Sequence, residues 1–227
     1  MSNTISIAKE KAGQAALEFI TPGMHVGLGT GSTTYYFIEA LGEACRKGLH
    51  IQAVASSEQS AQLAKDNGIP LLPLDRITSL DITVDGADQI DAQKRMIKGG
   101  GGALLREKIL ASISKEMVVV VDSTKVVETF HDFPLPVEIV TFLHHAIIKK
   151  INDLGLTGKL REKAGIPYVS DNGNFIYDII IPQPCLNPEE LNERLRSVPG
   201  VVETGFFFHL AGRVIVGFPK GKVEIHS

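Results

Sequence analysis

Cysteine is scarce: Cys45 and Cys185 stand far apart and outside any CxxC spacing, which argues against a disulfide framework and against a zinc cluster. A reducing cytoplasm suits such a chain. Long apolar runs are missing as well, since no stretch of about 18 residues is continuously hydrophobic, and a membrane-spanning helix is therefore not expected. The N-terminal "MSNTISIAKEKAG" spaces charges through an amphipathic pattern instead of forming the apolar core of an export signal, so a soluble, unexported protein is expected. No Lys/Arg block occurs and the formal net charge is −3, so neither nucleic acid nor an anionic membrane is an expected partner. Any anionic ligand must be held by a local site. The seven histidines show no metal-ligand spacing, and His144 and His145 are adjacent on an expected helix, about 100° apart. No Ser-His-Asp arrangement, repeat or low-complexity linker is visible.

What is present is an ordinary folded composition, with 44% hydrophobic residues in 227, enough for one large domain or two modest ones. Residues 5–20 carry apolar side chains at helical spacing. "MHVGLGTGSTTYYFIEALGEA" reads as strand, glycine turn and a helix stopping near Gly42. "IQAVASS", "IPLLPL", "LDITVDGADQID" and the valine-rich "EMVVVVDSTKVV" read as further extended pieces, with helices at "EQSAQLAKDNG" and after the glycines of "RMIKGGGGALLREKILASIS". Alternation of this kind predicts an α/β fold: a mostly parallel, Rossmann-like sheet flanked by helices.

From about Pro134 the order becomes β-α-β-β-α-β, the split unit of ferredoxin-like domains. Its second helix has a start signal in Asn187, Pro188 and Glu190. The expected division is residues 1–130 plus 207–227 for the Rossmann-like domain and 131–206 for a smaller α+β domain, with "AGRVIVGF" returning to the first sheet.

Parallel sheets bind ligands at the carboxyl ends of their strands, and three turns there are rich in functional groups. "GLGTGSTT" (27–34) resembles a phosphate cradle, with bare glycines, the hydroxyls of Thr30, Ser32 and Thr33, and a helix start behind them. Gly27, Gly29 and Gly31 give GxGxG with Ser32 where a dinucleotide fingerprint wants glycine, and no GxxxxGK[ST] occurs. A small phosphorylated ligand fits better than a nucleotide; a plain capped turn is the alternative. Asp85 and Asp88 in "DGADQID" suit hydrogen bonds to sugar hydroxyls or proton transfer, or simply a turn. Magnesium held by Asp85, Asp88 and Asp91 is the weaker option. In "KGGGG" (98–102) the glycines can bring backbone donors close to a developing negative charge and Lys98 can add a positive one, as an oxyanion site requires. Glu107, about a turn and a half into the next helix, reaches back to that loop if the helix faces the sheet end, whereas Arg106, Glu107 and Lys108 together read as a solvated charged face. A fourth loop, "VDSTKVV", brings Lys125, either a phosphate partner or surface charge.

Taken in order, "GLGTGSTT", "TVDGADQID", "IKGGGGALLREKI", "DSTKVV", "FPLPVEIV", "DNGNFIYDI" and "PGVVETGFF" resemble the ribose-5-phosphate isomerase A family over nearly the whole chain. The resemblance implies interconversion of ribose 5-phosphate and ribulose 5-phosphate through a cis-enediol, in the non-oxidative pentose phosphate pathway, without metal or organic cofactor. It makes Glu107 the base moving a proton between C2 and C1, with Asp85 and Lys98 assisting ring opening and the O1/O2 proton traffic. Substrate contacts are implied for Lys9, Thr30, Gly31, Ser32, Thr33, Asp85, Gly86, Ala87, Asp88, Lys98, Gly99, Gly100, Gly101 and Lys125. A homodimer or tetramer is also implied. The family usually carries an acid after "DGAD", where this chain has Gln89. The rival class is a non-catalytic sugar-phosphate sensor, which would need a DNA-reading module and a basic stripe that the sequence does not offer.

Overall fold

Short β-branched runs bounded by glycine, proline or acidic turns become strands, and the computed structural model describes residues 2–183 and 185–227. The chain begins with α1 (Ser2–Ala15), β1 (His25–Leu28), α2 (Ser32–Arg46), β2 (Gln52–Ala55), α3 (Glu58–Asp66) and β3 (Ile82–Asp85). It continues through β4 (Gln89–Ile90), β5 (Met96–Ile97), α4 (Leu104–Ser112), β6 (Met117–Asp122), β7 (Leu135–Ile139), α5 (His144–Asp153) and β8 (Thr157–Leu160). The hairpin of β9 (Glu162–Lys163) and β10 (Ile166–Pro167) precedes β11 (Phe175–Ile180), α6 (Pro188–Arg196), β12 (Val201–Thr204) and β13 (Phe206–Phe207). Two last strands are β14 (Ala211–Gly217) and β15 (Val223–His226).

These elements form two units: Met1–Ala87 with Arg106–Val126 and His209–Ser227, and Asp88–Leu105 with Val127–Phe208. The first holds a six-stranded sheet in the order β15-β14-β6-β3-β1-β2, parallel except for the edge strand β15. β6 is buried along its whole length, and burying each of its valines contributes roughly 1.5–3 kcal/mol relative to exposure. Phe37, Ile38 and Leu41 of α2 join Val26, Leu28, Val118 and Ile215 in the same core. β14 returns to this sheet, as its apolar run predicts, and pairs with β6 from Ala211 opposite Met117 to Gly217 opposite Asp122.

The second unit has a four-stranded antiparallel sheet in the order β12-β7-β11-β8, with α5 and α6 as its helices. Ile147 and Ile151 of α5 and Leu191 and Leu195 of α6 bury against Val137, Ile139 and Tyr177. The predicted β-α-β-β-α-β order is present in β7-α5-β8-β11-α6-β12, with the β9–β10 hairpin inserted.

Four local departures have physical causes. Gly42 does not stop α2; it lies inside the helix, where an added Cβ would stand 2.6 Å from Cβ of Asn67, and the helix ends instead at Lys47 before Gly48 with φ 105°. "IPLLPL" forms only a bridge from Leu71 to Ala53, because Pro70 and Pro73 offer no ladder N–H. "VVETGFFF" breaks at Gly205, whose N–H donates to Pro136 O (2.7 Å) and whose O accepts the Lys98 N–H (2.8 Å). Residues 88–105, expected with the first sheet, group with the second unit, where β4 and β5 pair with each other and β5 pairs with β13.

Candidate active site

In the first unit β6, β3 and β1 are neighbours in a parallel sheet, so the loops after Asp122, Asp85 and Leu28 leave the same carboxyl edge side by side. Gly31 (φ 130°) precedes α2 without a side-chain cap, and the first intrahelical bond runs from the Tyr35 N–H to Gly31 O. The amides of the first turn thus face outward with the positive end of the helix dipole, where an anion is favoured. Lys9 Nζ donates to Ser32 Oγ at 2.9 Å, which adds an ammonium to this loop from α1.

Thr30 shapes the loop from beneath. Its N–H donates to Asp85 Oδ1 (3.1 Å), the oxygen that also accepts the Gly86 N–H (2.7 Å). Its hydroxyl lies 2.7, 2.8 and 3.2 Å from those of Ser56, Ser57 and Ser60, and Ser60 Oγ donates to Gly29 O at 2.7 Å. Asp85 is fully buried. Lys125 follows β6 in a short 3-10 turn capped by Asp122, whose Oδ1 accepts the Thr124 N–H at 3.0 Å.

α4 begins at Leu104, so Glu107 sits in its first turn and not a turn and a half along. The charged triplet splits: Glu107 is only 3% exposed, whereas Arg106 reaches Glu58 at 3.1 Å and Lys108 is half-buried. The solvated-face reading therefore does not describe Glu107.

In the second unit the four glycines close a tight turn, with the Gly102 N–H bonded to Gly99 O at 2.9 Å. Bare backbone is required at three of them. Gly99 (φ 101°) abuts Leu104 and Pro136, a Cβ at Gly100 would stand 2.7 Å from Asp88 Oδ1, and Gly102 (φ 85°) lies against the Tyr168 ring. The Gly100 N–H donates to Asp88 Oδ2 at 2.7 Å, tying the acidic turn to the glycine turn. Lys98 is 2% exposed, with its ammonium 5.5 Å from the centre of the Phe207 ring. Asp91 is engaged by Arg95, through Nε at 2.6 Å and the backbone N–H at 2.9 Å. Among the described residues no group of three or more His, Cys, Asp or Glu is placed to hold a metal ion.

Both units thus carry buried ionic groups beside amide-rich turns, and the comparisons with known proteins show the family. The model of ribose 5-phosphate isomerase A (phosphoriboisomerase A) matches residues 52–221. The chain belongs to that family. Ribose-5-phosphate isomerase A of Protochlamydia amoebophila is 53% identical over 219 residues, spanning 96% of this chain and 94% of that protein. A D-ribose-5-phosphate isomerase solved in complex with phospho-erythronic acid superposes with a TM-score of 0.91 at 37% identity, covering 97% of each chain. The ribose 5-phosphate isomerase of Plasmodium falciparum gives 0.93 at 30% identity over 98% of each. As a member of the ribose 5-phosphate isomerase A family, the chain is an enzyme.

Sequence reading missed Ser56, Ser57 and Ser60, whose hydroxyls gather under Thr30, and Arg161 and Tyr168, which reach the glycine turn. The serine cluster had a faint signal in "SSEQS", where Ser57 caps α3 by accepting the Ser60 N–H at 3.1 Å. Arg161 and Tyr168 had none.

Proposed function

We propose that this chain interconverts D-ribose 5-phosphate and D-ribulose 5-phosphate by moving a proton between C2 and C1 of the open-chain sugar, with no metal or organic cofactor. The observation that carries the reading is Glu107, a carboxylate withdrawn from water in a first helical turn five residues beyond Gly102, in a chain that belongs to this isomerase family.

The chemistry requires a base and a stabiliser of negative charge. Glu107 removes the C2 proton of the aldose; the C1 carbonyl oxygen gains the charge, and an enediolate forms. The Lys98 ammonium and the Gly101 amide are suited to hold that oxygen, the Gly100 and Gly102 amides being engaged by Asp88 and Gly99 O, and a positioned donor of this type is worth about 10²–10³-fold. Proton exchange between O1 and O2, assisted by Asp85, moves the carbonyl to C2. Glu107 then returns its proton to C1, completing the ketose. Asp88, with Gly86 and Ala87 beside it, is suited to sugar hydroxyls. The Thr30–Thr33 loop, Lys9 and Lys125 are suited to the phosphate, an assignment supported by the open amides of α2 and by the Lys9–Ser32 contact.

Among the described residues no helix is long and apolar enough to cross a membrane. A cytoplasmic homo-oligomer serving the non-oxidative pentose phosphate pathway completes the reading. The isomerase names of the relatives favour catalysis over a non-catalytic sensor. The test is NMR of ribose 5-phosphate with metal-free protein in heavy water: ribulose 5-phosphate and deuterium exchange at C2 are expected to form in the presence of chelator. No turnover under these conditions, with binding retained, would favour the sensor.

A further inference from the structure

We propose that Arg161 is a positioning residue that aims the amides of the glycine turn, an inference that rests on the isomerase reading above. Arg161 follows β8 and is itself held rigidly. Its Nε and Nη2 form a two-pronged pair with Asp178 of β11 at 2.8 and 2.5 Å, and both side chains are mostly buried, at 16% and 19% exposure. The remaining prong, Nη1, donates to two backbone carbonyls, Gly99 O at 2.9 Å and Gly100 O at 3.1 Å. Tyr168 takes the next carbonyl, its hydroxyl donating to Gly101 O at 3.3 Å, and the Arg161 guanidinium lies 5.9 Å from its ring centre. Three successive carbonyls are thereby drawn to one side.

A trans peptide unit points its C=O and its N–H in opposite directions. Fixing Gly99 O therefore turns the Gly100 N–H the other way, and that N–H meets the Asp88 carboxylate at 2.7 Å. Fixing Gly100 O likewise turns the Gly101 N–H away from Arg161. Glycines cannot hold such an orientation alone, since they have the widest backbone freedom of any residue. The fork of Arg161 supplies the rigidity that the turn lacks. Tyr168 remains a donor, because burial raises its phenol above the usual range, with Asp171 adding to the effect and Arg161 opposing it. The turn after Tyr168 is pinned in its own right: Ser170 Oγ, Asn172 Nδ2 and Asn174 Nδ2 all donate to Oε1 of the fully buried Glu138, at 2.8, 3.0 and 2.9 Å.

The experiment compares full-length wild type, Arg161→Ala, Arg161→Lys and Glu107→Gln. Misplacing a reacting geometry by about 1 Å costs on the order of 10²-fold. Arg161→Ala is accordingly expected to lose roughly 10–100-fold in kcat while KM for ribose 5-phosphate moves far less. Lysine keeps the charge but cannot span Asp178 and two carbonyls, so Arg161→Lys should resemble alanine. Two readouts separate aiming from bulk stability. Added guanidinium should restore part of the turnover of Arg161→Ala and none of that of Glu107→Gln, and the Gly100 amide should exchange with solvent about tenfold faster once its peptide is released. Should Arg161→Ala not fold, Arg161→Lys carries the kcat and exchange measurements. Wild-type kcat in a folded Arg161 variant, or a lower kcat with Gly100 exchange unchanged, overturns the positioning role. Wild-type turnover in Glu107→Gln would instead overturn the isomerase assignment of that base, so the two failures are distinct.

Discussion

The Cα of Gly29 rests against the Asp85 carboxylate so closely that a Cβ added there would overlap its carboxyl carbon. Asp85 has nowhere to retreat, because it is fully buried and its Oδ1 already accepts the Thr30 and Gly86 amides. Gly29→Ala must therefore displace the carboxylate or the loop. Overpacking of this kind costs about 1–3 kcal/mol, and the expected result is a fall of several degrees in the melting temperature together with at least a tenfold loss of kcat. Gly31→Ala is the contrast, since its Cβ meets open space and only the φ of 130° is strained. Thermal melts and steady-state kinetics on both variants check the prediction. Equal behaviour of the two would mean that the Asp85 contact is unimportant.

Glu107→Gln keeps the shape of the side chain while removing its capacity to take a proton. A positioned base contributes about 10²–10⁴-fold, so turnover should fall within that range while ribose 5-phosphate still binds, as followed by calorimetry. Turnover near that of wild type would retire Glu107 as the base.

Much of this was legible in the sequence for identifiable reasons. The strand and helix alternation shows because periodicity is a local signal, and the loops show because glycine, hydroxyl and acidic residues crowd the ends of apolar strands. Residues 88–105 are harder to place, since β4 and β5 are two residues long, β4 pairs with β5, and β5 is held by β13, more than a hundred residues on. Gly42 reads as a stop, whereas its purpose is contact with Asn67. Arg161 was invisible for the same reason: it lies 62 residues from Gly99, and nothing local distinguishes it from a surface arginine. Tertiary hydrogen bonds of this type leave no period to read.

Gln89 is explained by a partner on a distant loop. Its amide Nε2 donates to His131 O and its Oε1 accepts the His131 N–H at 3.1 Å, a reciprocal pair that needs one donor and one acceptor. The residue is 8% exposed. A carboxylate there has no donor and would face the carbonyl oxygen. Leaving a buried acceptor so unsatisfied costs about 1–3 kcal/mol. Gln89→Glu should therefore lower stability in urea by that amount near neutral pH, with kcat unchanged below the melting range. The deficit should shrink on acidification, because a protonated glutamate regains an O–H donor. A variant as stable as wild type at neutral pH would show that the His131 loop repacks freely.

Asp81 offers a test of stability away from the chemistry, since it precedes β3 at the amino end of the strand, opposite the edge from which the loops depart. Its carboxyl is held below the ordinary carboxylate range, first by the Lys115 ammonium, which donates at 2.7 Å, and then by the His25 N–H at 2.8 Å. A native value lowered in this way means that the contribution is present in full above the ordinary carboxylate range and disappears as pH falls through the lowered value. Lys115 is 75% exposed, and an ion pair so open to solvent is worth only about 0–1 kcal/mol. Asp81→Asn keeps an acceptor for the His25 amide but loses the charge. It should therefore unfold at lower urea than wild type at neutral pH, by no more than about 1 kcal/mol, and the gap should close as the pH is taken down through the carboxylate range. Turnover should be unaffected throughout, because the substitution touches neither the glycine loops nor Glu107. A gap that widened in acid would show that the aspartate is strained in the native state and not stabilised by its two donors.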